Sequence, residues 1–143
     1  MTSILLVEDD ELFRDALAIA LAEHGYRVIQ AGDGDEAVKL FRAEPTDLVL
    51  TDLVMPRKEG IETIGDLRRI APRLGIIAMS GGLAHNAPLY LKIAGSLGAN
   101  RTLKKPFTLP VLFQTILDVL NECANQPEPD QTKTAPPKRY SPS

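Results

Sequence analysis

Four polar positions, each closing a candidate strand, carry the residue types in this chain that could do chemistry. Glu8 and Asp9 follow Ile4–Val7, Asp52 closes the run that begins at Leu48, Ser80 follows Ile76–Met79, and Lys105 ends the segment that begins at Arg101. Carboxylates supply oxygen ligands or a nucleophile, an ammonium supplies a point charge, and a hydroxyl donates one hydrogen bond. Each has an ordinary explanation when taken singly. Asp52 could be a turn or cap aspartate, Ser80 before Gly81-Gly82 plain turn chemistry, Lys104-Lys105 a solvated edge, and Glu8 to Glu11 a solvated helix entrance. Asp10 already suits the capping position of the next helix, with Glu11 in its first turn, so Glu8 and Asp9 have no structural duty.

The elements between these positions are what must assemble them. Phe13, Ala16, Leu17, Ala20 and Leu21 fall on one helical face, and Gly25 marks its stop. Arg27–Ala31 is a second strand, after which Asp33 and Glu36 resemble a capping box ahead of Ala37, Val38, Leu40 and Phe41. Leu48–Leu50 has the unbroken apolar character of a strand buried on both faces, and Pro56 forbids a further ladder bond. Ile61, Ile64, Leu67 and Ala71 keep helical spacing up to Pro72. Gly75 opens a fourth strand, Leu89–Leu97 is a helix ended by Gly98, and Arg101 to Lys104 is a short fifth strand. Thr108 caps a last helix striped by Leu109, Leu112, Phe113, Ile116, Leu117 and Leu120. Strands alternating with helices imply a parallel sheet covered on both faces. The expected fold is α/β: a flavodoxin-like, doubly wound (βα)5 three-layer sandwich with a parallel five-stranded sheet in the order 2-1-3-4-5.

In that order the first and third strands are neighbours, and Glu8, Asp9 and Asp52 converge at their carboxyl ends. Two like charges about 5 Å apart repel by about 3 kcal/mol at an effective dielectric of about 20. Such a cluster needs a cation, protonation or catalytic use. All-oxygen ligands with no His or Cys beside them suit a hard divalent ion, and an open, watered site favours Mg2+. Alternation puts Thr102 and Lys104 on one side of the fifth strand and Leu103 and Lys105 on the other. Lys105 is thus placed to reach over the sheet edge, with the Ser80 hydroxyl at the end of the fourth strand. Acids, an ammonium and a hydroxyl at one edge are the equipment for holding a metal-bound phosphoryl group.

The motifs Leu-Leu-Val-Glu-Asp-Asp, Leu-Thr-Asp-Leu-Val-Met-Pro, Met-Ser-Gly and Lys-Lys-Pro-Phe-Thr, in that order, make the chain resemble the receiver domain of two-component response regulators over roughly residues 2–123. The resemblance implies that Asp52 is the phosphoacceptor. It makes Glu8 and Asp9 the metal-binding acidic pair, completed by Asp52 and the backbone carbonyl of Val54. Ser80 becomes the switch hydroxyl and Lys105 the lysine that pairs with phosphoryl oxygens. It also implies a cis Lys105–Pro106 peptide. The partners it implies are a sensor histidine kinase or a histidine phosphotransfer protein, and a downstream protein met through the face of the fourth helix, fifth strand and fifth helix. The chain departs from the family at Thr102, where many receivers carry an aromatic residue, and the segment from Gly81 to Pro88 is a few residues longer than usual. Val54 and Gly82 flank the expected path of attacking water, and neither side chain can hydrogen-bond it.

Composition agrees. A chain of 143 residues with 44% hydrophobic content is one ordinary domain, and a net charge of −3 argues against direct binding of nucleic acid or an anionic membrane. No run approaches the ~18 apolar residues of a membrane span, and the N-terminus has no basic n-region, so a cytoplasmic protein is expected. Cys123 stands alone and cannot form an internal disulfide, and His24 and His85 are given no role. Residues 1–123 are taken as the receiver domain and 124–143, rich in proline, as a disordered C-terminal tail or linker. Two other functions compete: a receiver that signals by contact alone, and a Mg2+-dependent phosphatase of the haloacid-dehalogenase type. The second needs Asp-x-Asp after the first strand, where this chain has Glu8-Asp9-Asp10.

Overall fold

The computed structural model describes residues 1–53, 60–81, 92 and 94–125. Five strands, β1 (Ser3–Val7), β2 (Arg27–Ala31), β3 (Leu48–Asp52), β4 (Gly75–Gly81) and β5 (Arg101–Lys105), pair in parallel in the order β2-β1-β3-β4-β5. The helices are α1 (Glu11–Glu23), α2 (Gly34–Ala43), α3 (Gly60–Ile70) and α5 (Leu109–Ala124), with residues 92 and 94–96 helical and labelled α4. The expected sheet order is therefore the observed one. Among the described residues no helix is long and apolar enough to cross a membrane.

Strand alternation divides the core in two. Ile4, Leu6, Leu48, Leu50, Ile77, Met79 and Leu103 face Leu17 and Leu21 of α1 and Leu112, Ile116 and Val119 of α5. Leu5, Val7, Val49, Ile76 and Ala78 face Phe41 of α2, Ile64 and Leu67 of α3, and Ala94. Because β1, β3 and β4 are covered on both faces, Ile4–Val7, Leu48–Leu50 and Ile76–Met79 are buried at every position, which is why they appear as unbroken apolar runs. At the entry edge, Ser3 N donates to Asp47 Oδ2 at 2.8 Å and Asp47 N donates to Ser3 O at 3.0 Å, joining the starts of β1 and β3.

The caps fall where expected, with one change of partner. Asp10 accepts from Phe13 N, Asp33 from Glu36 N and Thr108 from Val111 N. The Glu36 carboxylate, however, accepts from Gly32 N rather than from the cap residue, one position further back than in a standard capping box. Two helical faces are rotated from expectation. On α1, Ala16 is exposed and Ala18 is buried. On α5, Leu109 and Leu117 are more than two-fifths exposed, and Val119 takes the core position. Both helices carry more apolar residues than one face can bury, so packing against neighbours selects the buried subset. The chain remains helical through Ala124, with Asn125 as cap, so the helix runs past the boundary expected at residue 123. The rest of the expected tail, the first residues of the helix expected at Leu89–Leu97, and Val54, Gly82 and His85 lie outside the described residues.

Candidate phosphoryl-transfer site

The register sets the carboxyl ends of the strands side by side: Val7 pairs with Thr51, Asp52 with Met79, Ser80 with Lys104 and Gly81 with Lys105. Every expected side chain within the described residues therefore lies at one edge. Two glycines allow the close approach. A Cβ on Gly60 would lie 2.1 Å from the Asp52 carbonyl oxygen, so only glycine lets α3 begin against the end of β3. Gly81, at φ +150°, leaves room for the Lys105 backbone, whose carbonyl oxygen would sit 2.6 Å from a Cβ there.

Glu8, Asp9 and Asp52 each present a carboxylate oxygen within 4.8 Å of the others. Glu8 and Asp52 are buried, at 1% and 7% exposure, while Asp9 is exposed. Lys105 Nζ donates to Glu8 Oε1 at 2.7 Å and lies 3.3 Å from Asp52 Oδ1. Its ammonium also sits 4.6 Å from the centre of the Phe13 ring, which in turn meets Phe107 edge-on. The other Glu8 oxygen accepts from Asp10 N at 3.1 Å. A hollow of about 250 Å3, walled by Phe13, Pro106 and Phe107, opens beside the Lys105 stem. Lys105–Pro106 is cis, as expected. Thr102 and Lys104 are exposed and Leu103 is buried, as alternation required.

Among the described residues one ammonium faces three carboxylates, and the titration behaviour follows from that imbalance. Burial raises the Glu8 carboxyl above its ordinary range; the Lys105 hydrogen bond opposes this and the charge of Asp52 adds to it. Burial likewise raises Asp52, against the charge and hydrogen bond of Lys105. For Lys105 burial works downward, but the Glu8 hydrogen bond and the two carboxylate charges outweigh it and hold the ammonium above its usual range. Metal-free, the native state thus keeps protons on its acids that the unfolded chain has already lost. Stability must fall as the pH rises from the ordinary carboxylate range through the raised values. With EDTA present, the urea midpoint is expected to be higher at about pH 5 than at about pH 7.5, and Mg2+ should recover the difference. A midpoint that climbs over that interval, with no response to Mg2+, would contradict this account.

The donor set fits a hard divalent cation. Among the described residues the candidate ligands are oxygens only, with no nitrogen or sulfur in the cluster, and their charge exceeds what Lys105 can neutralise. The Ser80 hydroxyl is 1% exposed and has no hydrogen-bond partner among the described residues, although buried hydroxyls are normally satisfied. A buried donor without an acceptor, beside an acidic pocket with an ammonium, is equipped for an added anionic oxygen. His24, exposed at the C-cap of α1, instead stacks on the half-buried Phe113 of α5, with centroids 3.8 Å apart. Phe13 was legible only as a core position; nothing in its spacing showed that its ring would lie against Lys105. Arg14, whose guanidinium donates to the Glu8 backbone carbonyl at 2.8 Å, was missed. A cation beside the apolar stripe of α1 was the one available sign.

Residues 4–117 match the family model described as response regulator receiver domain. The chain is 37% identical over 116 residues to the transcriptional regulatory protein PdtaR of Mycobacterium tuberculosis, covering 79% of this chain and 54% of that protein. It spans about half the length of several curated relatives it matches. Among solved structures, the CheY-like receiver domain protein of Methanospirillum hungatei superposes with a TM-score of 0.79 at 25% identity, covering 87% of this chain and 97% of that one. The response regulator TrrA of Thermotoga maritima, solved in complex with Mg(2+)-BeF, superposes with a TM-score of 0.74 at 28% identity, covering 83% and 99%.

Proposed function

The chain belongs to the response regulator receiver domain family of two-component systems, and on that premise we propose that Asp52 accepts a phosphoryl group from a phosphohistidine. The donor is a partner sensor histidine kinase or a histidine phosphotransfer protein. An Asp52 carboxylate oxygen attacks phosphorus, and the phosphorus–nitrogen bond breaks with its electron pair on the ring, so the imidazole, already protonated on its other nitrogen, leaves neutral. Glu8, Asp9, Asp52 and the Val54 carbonyl would hold Mg2+, which when bound offsets charge on the donor and acceptor oxygens. Lys105 stays beside Asp52 and stabilises the transferring oxygens. The apolar hollow at Phe13, Pro106 and Phe107 suits contact with the donor protein next to the ammonium.

The observation that carries this reading is the Ser80 hydroxyl, buried and without a hydrogen-bond partner among the described residues, near the end of the strand next to Asp52. Phosphorylation supplies the acceptor it lacks, and drawing Ser80 toward the phosphoryl oxygens biases the segment that follows β4. The resulting change reaches a downstream protein through the face of α4, β5 and α5, in the cytoplasm, with neither nucleic acid nor membrane bound by this domain. Residues 1–123 act as the receiver and 124–143 as a tail or linker. The acyl phosphate is hydrolysed in place, so the chain is a phosphoacceptor and not an enzyme acting on a separate substrate. Intact-mass analysis with acetyl phosphate and Mg2+ tests the reading. The protein is expected to gain one phosphoryl group, to be located on Asp52 by peptide mapping after reductive trapping, and to gain none in EDTA. A phosphoryl group mapped elsewhere, or gained without metal, would overturn it.

A further inference from the structure

Arg14 is the largest charged side chain near the acidic cluster that this reading leaves without a task. It lies on the inward side of α1, one helical turn before Leu17 and Ala18, and its side chain is only 16% exposed. A guanidinium this far from water needs acceptors, and it finds two on different elements. Nη1 donates to the Glu8 backbone carbonyl at 2.8 Å, and Nε donates to Gln30 Oε1 on β2 at 3.1 Å. Among the described residues its ion pair is to Glu11, at 4.0 Å, and not to any acid of the cluster.

We propose that Arg14 is a positioning residue that braces the Glu8–Asp9 peptide, so that the Asp9 carboxylate meets those of Glu8 and Asp52 in the arrangement that takes up a divalent cation. The inference rests on the reading of that cluster as a Mg2+ site. The Glu8 carbonyl and the Asp9 N–H share one rigid peptide plane, so holding the carbonyl fixes how the chain enters Asp9. The preceding plane is already held by Glu8 N donating to Ala31 O at 3.0 Å. The Glu8 side chain is tied by Lys105 and by Asp10 N, whereas the Asp9 side chain is exposed and takes its direction from the backbone. Arginine suits the task because its planar fork reaches two acceptors at once; lysine offers one mobile point. Slack behind it is small, since a Cβ on Gly32 would lie 3.3 Å from Nη1.

Charge and bracing predict opposite signs. Removing a positive charge near an acidic cluster should by electrostatics alone tighten cation binding. Losing the brace should weaken it. The test follows amide shifts of the isotope-labelled full chain during titration with MgCl2, with no phosphodonor present. Arg14→Gln is expected to raise the Mg2+ dissociation constant about tenfold, as loss of a group that orients metal ligands does. Arg14→Lys should weaken binding less. Gln30→Ala removes only the far anchor of the brace, on an exposed and uncharged residue, and should weaken binding a few-fold, with no added effect in the Arg14→Gln background. Unchanged or tighter binding by Arg14→Gln would overturn the proposal. Should that variant fail to fold by circular dichroism, unchanged binding by Gln30→Ala would overturn it alone. A wild type that takes up no Mg2+ would instead remove the metal site itself, and this inference with it.

Discussion

Asp52→Asn is expected to abolish phosphoryl uptake and, at the same time, to make the metal-free protein more stable. The first effect follows from chemistry, because an amide is not a nucleophile toward phosphorus under these conditions. The second follows from the pocket. Asp52 is buried, its oxygen lies within 4.8 Å of two other carboxylates, and Lys105 leans toward Glu8, at 2.7 Å, more than toward Asp52, at 3.3 Å. Burial and like charge raise its carboxyl above the ordinary range, which means that its ionised form is a net burden on the native state. Asparagine has nearly the same shape and no charge, so relief of about 1–3 kcal/mol is expected at neutral pH in EDTA. At about pH 3, where the unfolded acid is itself largely protonated, the difference should shrink. Intact mass after acetyl phosphate reads the first effect and urea denaturation at both pH values reads the second. A phosphoryl group that survives Asp52→Asn would sink the site assignment. A variant less stable than wild type would mean that Lys105 and the backbone over-compensate the Asp52 charge.

Lys105→Met should move stability the other way while also disabling the site. Methionine keeps most of the apolar stem against Phe13 but removes the only ammonium that touches the acids among the described residues. Glu8, at 1% exposure, would then be a buried carboxylate whose only remaining described donor is Asp10 N. Breaking a buried pair by deleting one partner costs about 3–5 kcal/mol in the general case. Here the raised carboxyls soften the loss by taking up protons, so about 2–3 kcal/mol is expected above neutral pH, falling as the pH drops. Mg2+ should restore part of the stability, because it replaces the missing positive charge. Phosphoryl uptake should slow by about a hundredfold, the usual penalty for losing one preorganised charge on the transferring oxygens. Stability unchanged by Lys105→Met in EDTA would show that Glu8 and Asp52 are already protonated at neutral pH, and the charge-imbalance account would fall.

The opposite signs of these two substitutions express one property of the fold. Among the described residues the sheet edge concentrates more negative charge than Lys105 alone can neutralise, and a native state with that excess is poised to gain from a divalent cation. Ser80 extends the same logic from charge to hydrogen bonding, since its buried hydroxyl also lacks a partner among the described residues. Arg14 differs: it is fully engaged, and its contribution is geometric.

Much of this was determined by the order of residues along the chain. Apolar runs ending in Glu8-Asp9, Asp52 and Ser80 marked strands buried on both faces, Lys105 closed a shorter and more polar one, and parallel topology obliges their carboxyl ends to share an edge. Alternation in Arg101–Lys105 sent Leu103 inward and left Thr102 and Lys104 outside. Asp10, Asp33 and Thr108 announced their helix starts, because capping is a local contact between residues a turn apart. What tertiary structure alone decided were contacts between elements distant in sequence. Ala18 rather than Ala16 entered the core, and Val119 rather than Leu117, because helical spacing defines an apolar stripe but only the neighbouring elements select which edge of it loses water. The Phe13 ring under Lys105 and the Arg14 guanidinium between Glu8 and Gln30 depend on how α1 is turned against β1 and β2. A side chain's direction follows from its own backbone, but its partner is set by where the rest of the chain places a group with the complementary charge or hydrogen-bonding capacity.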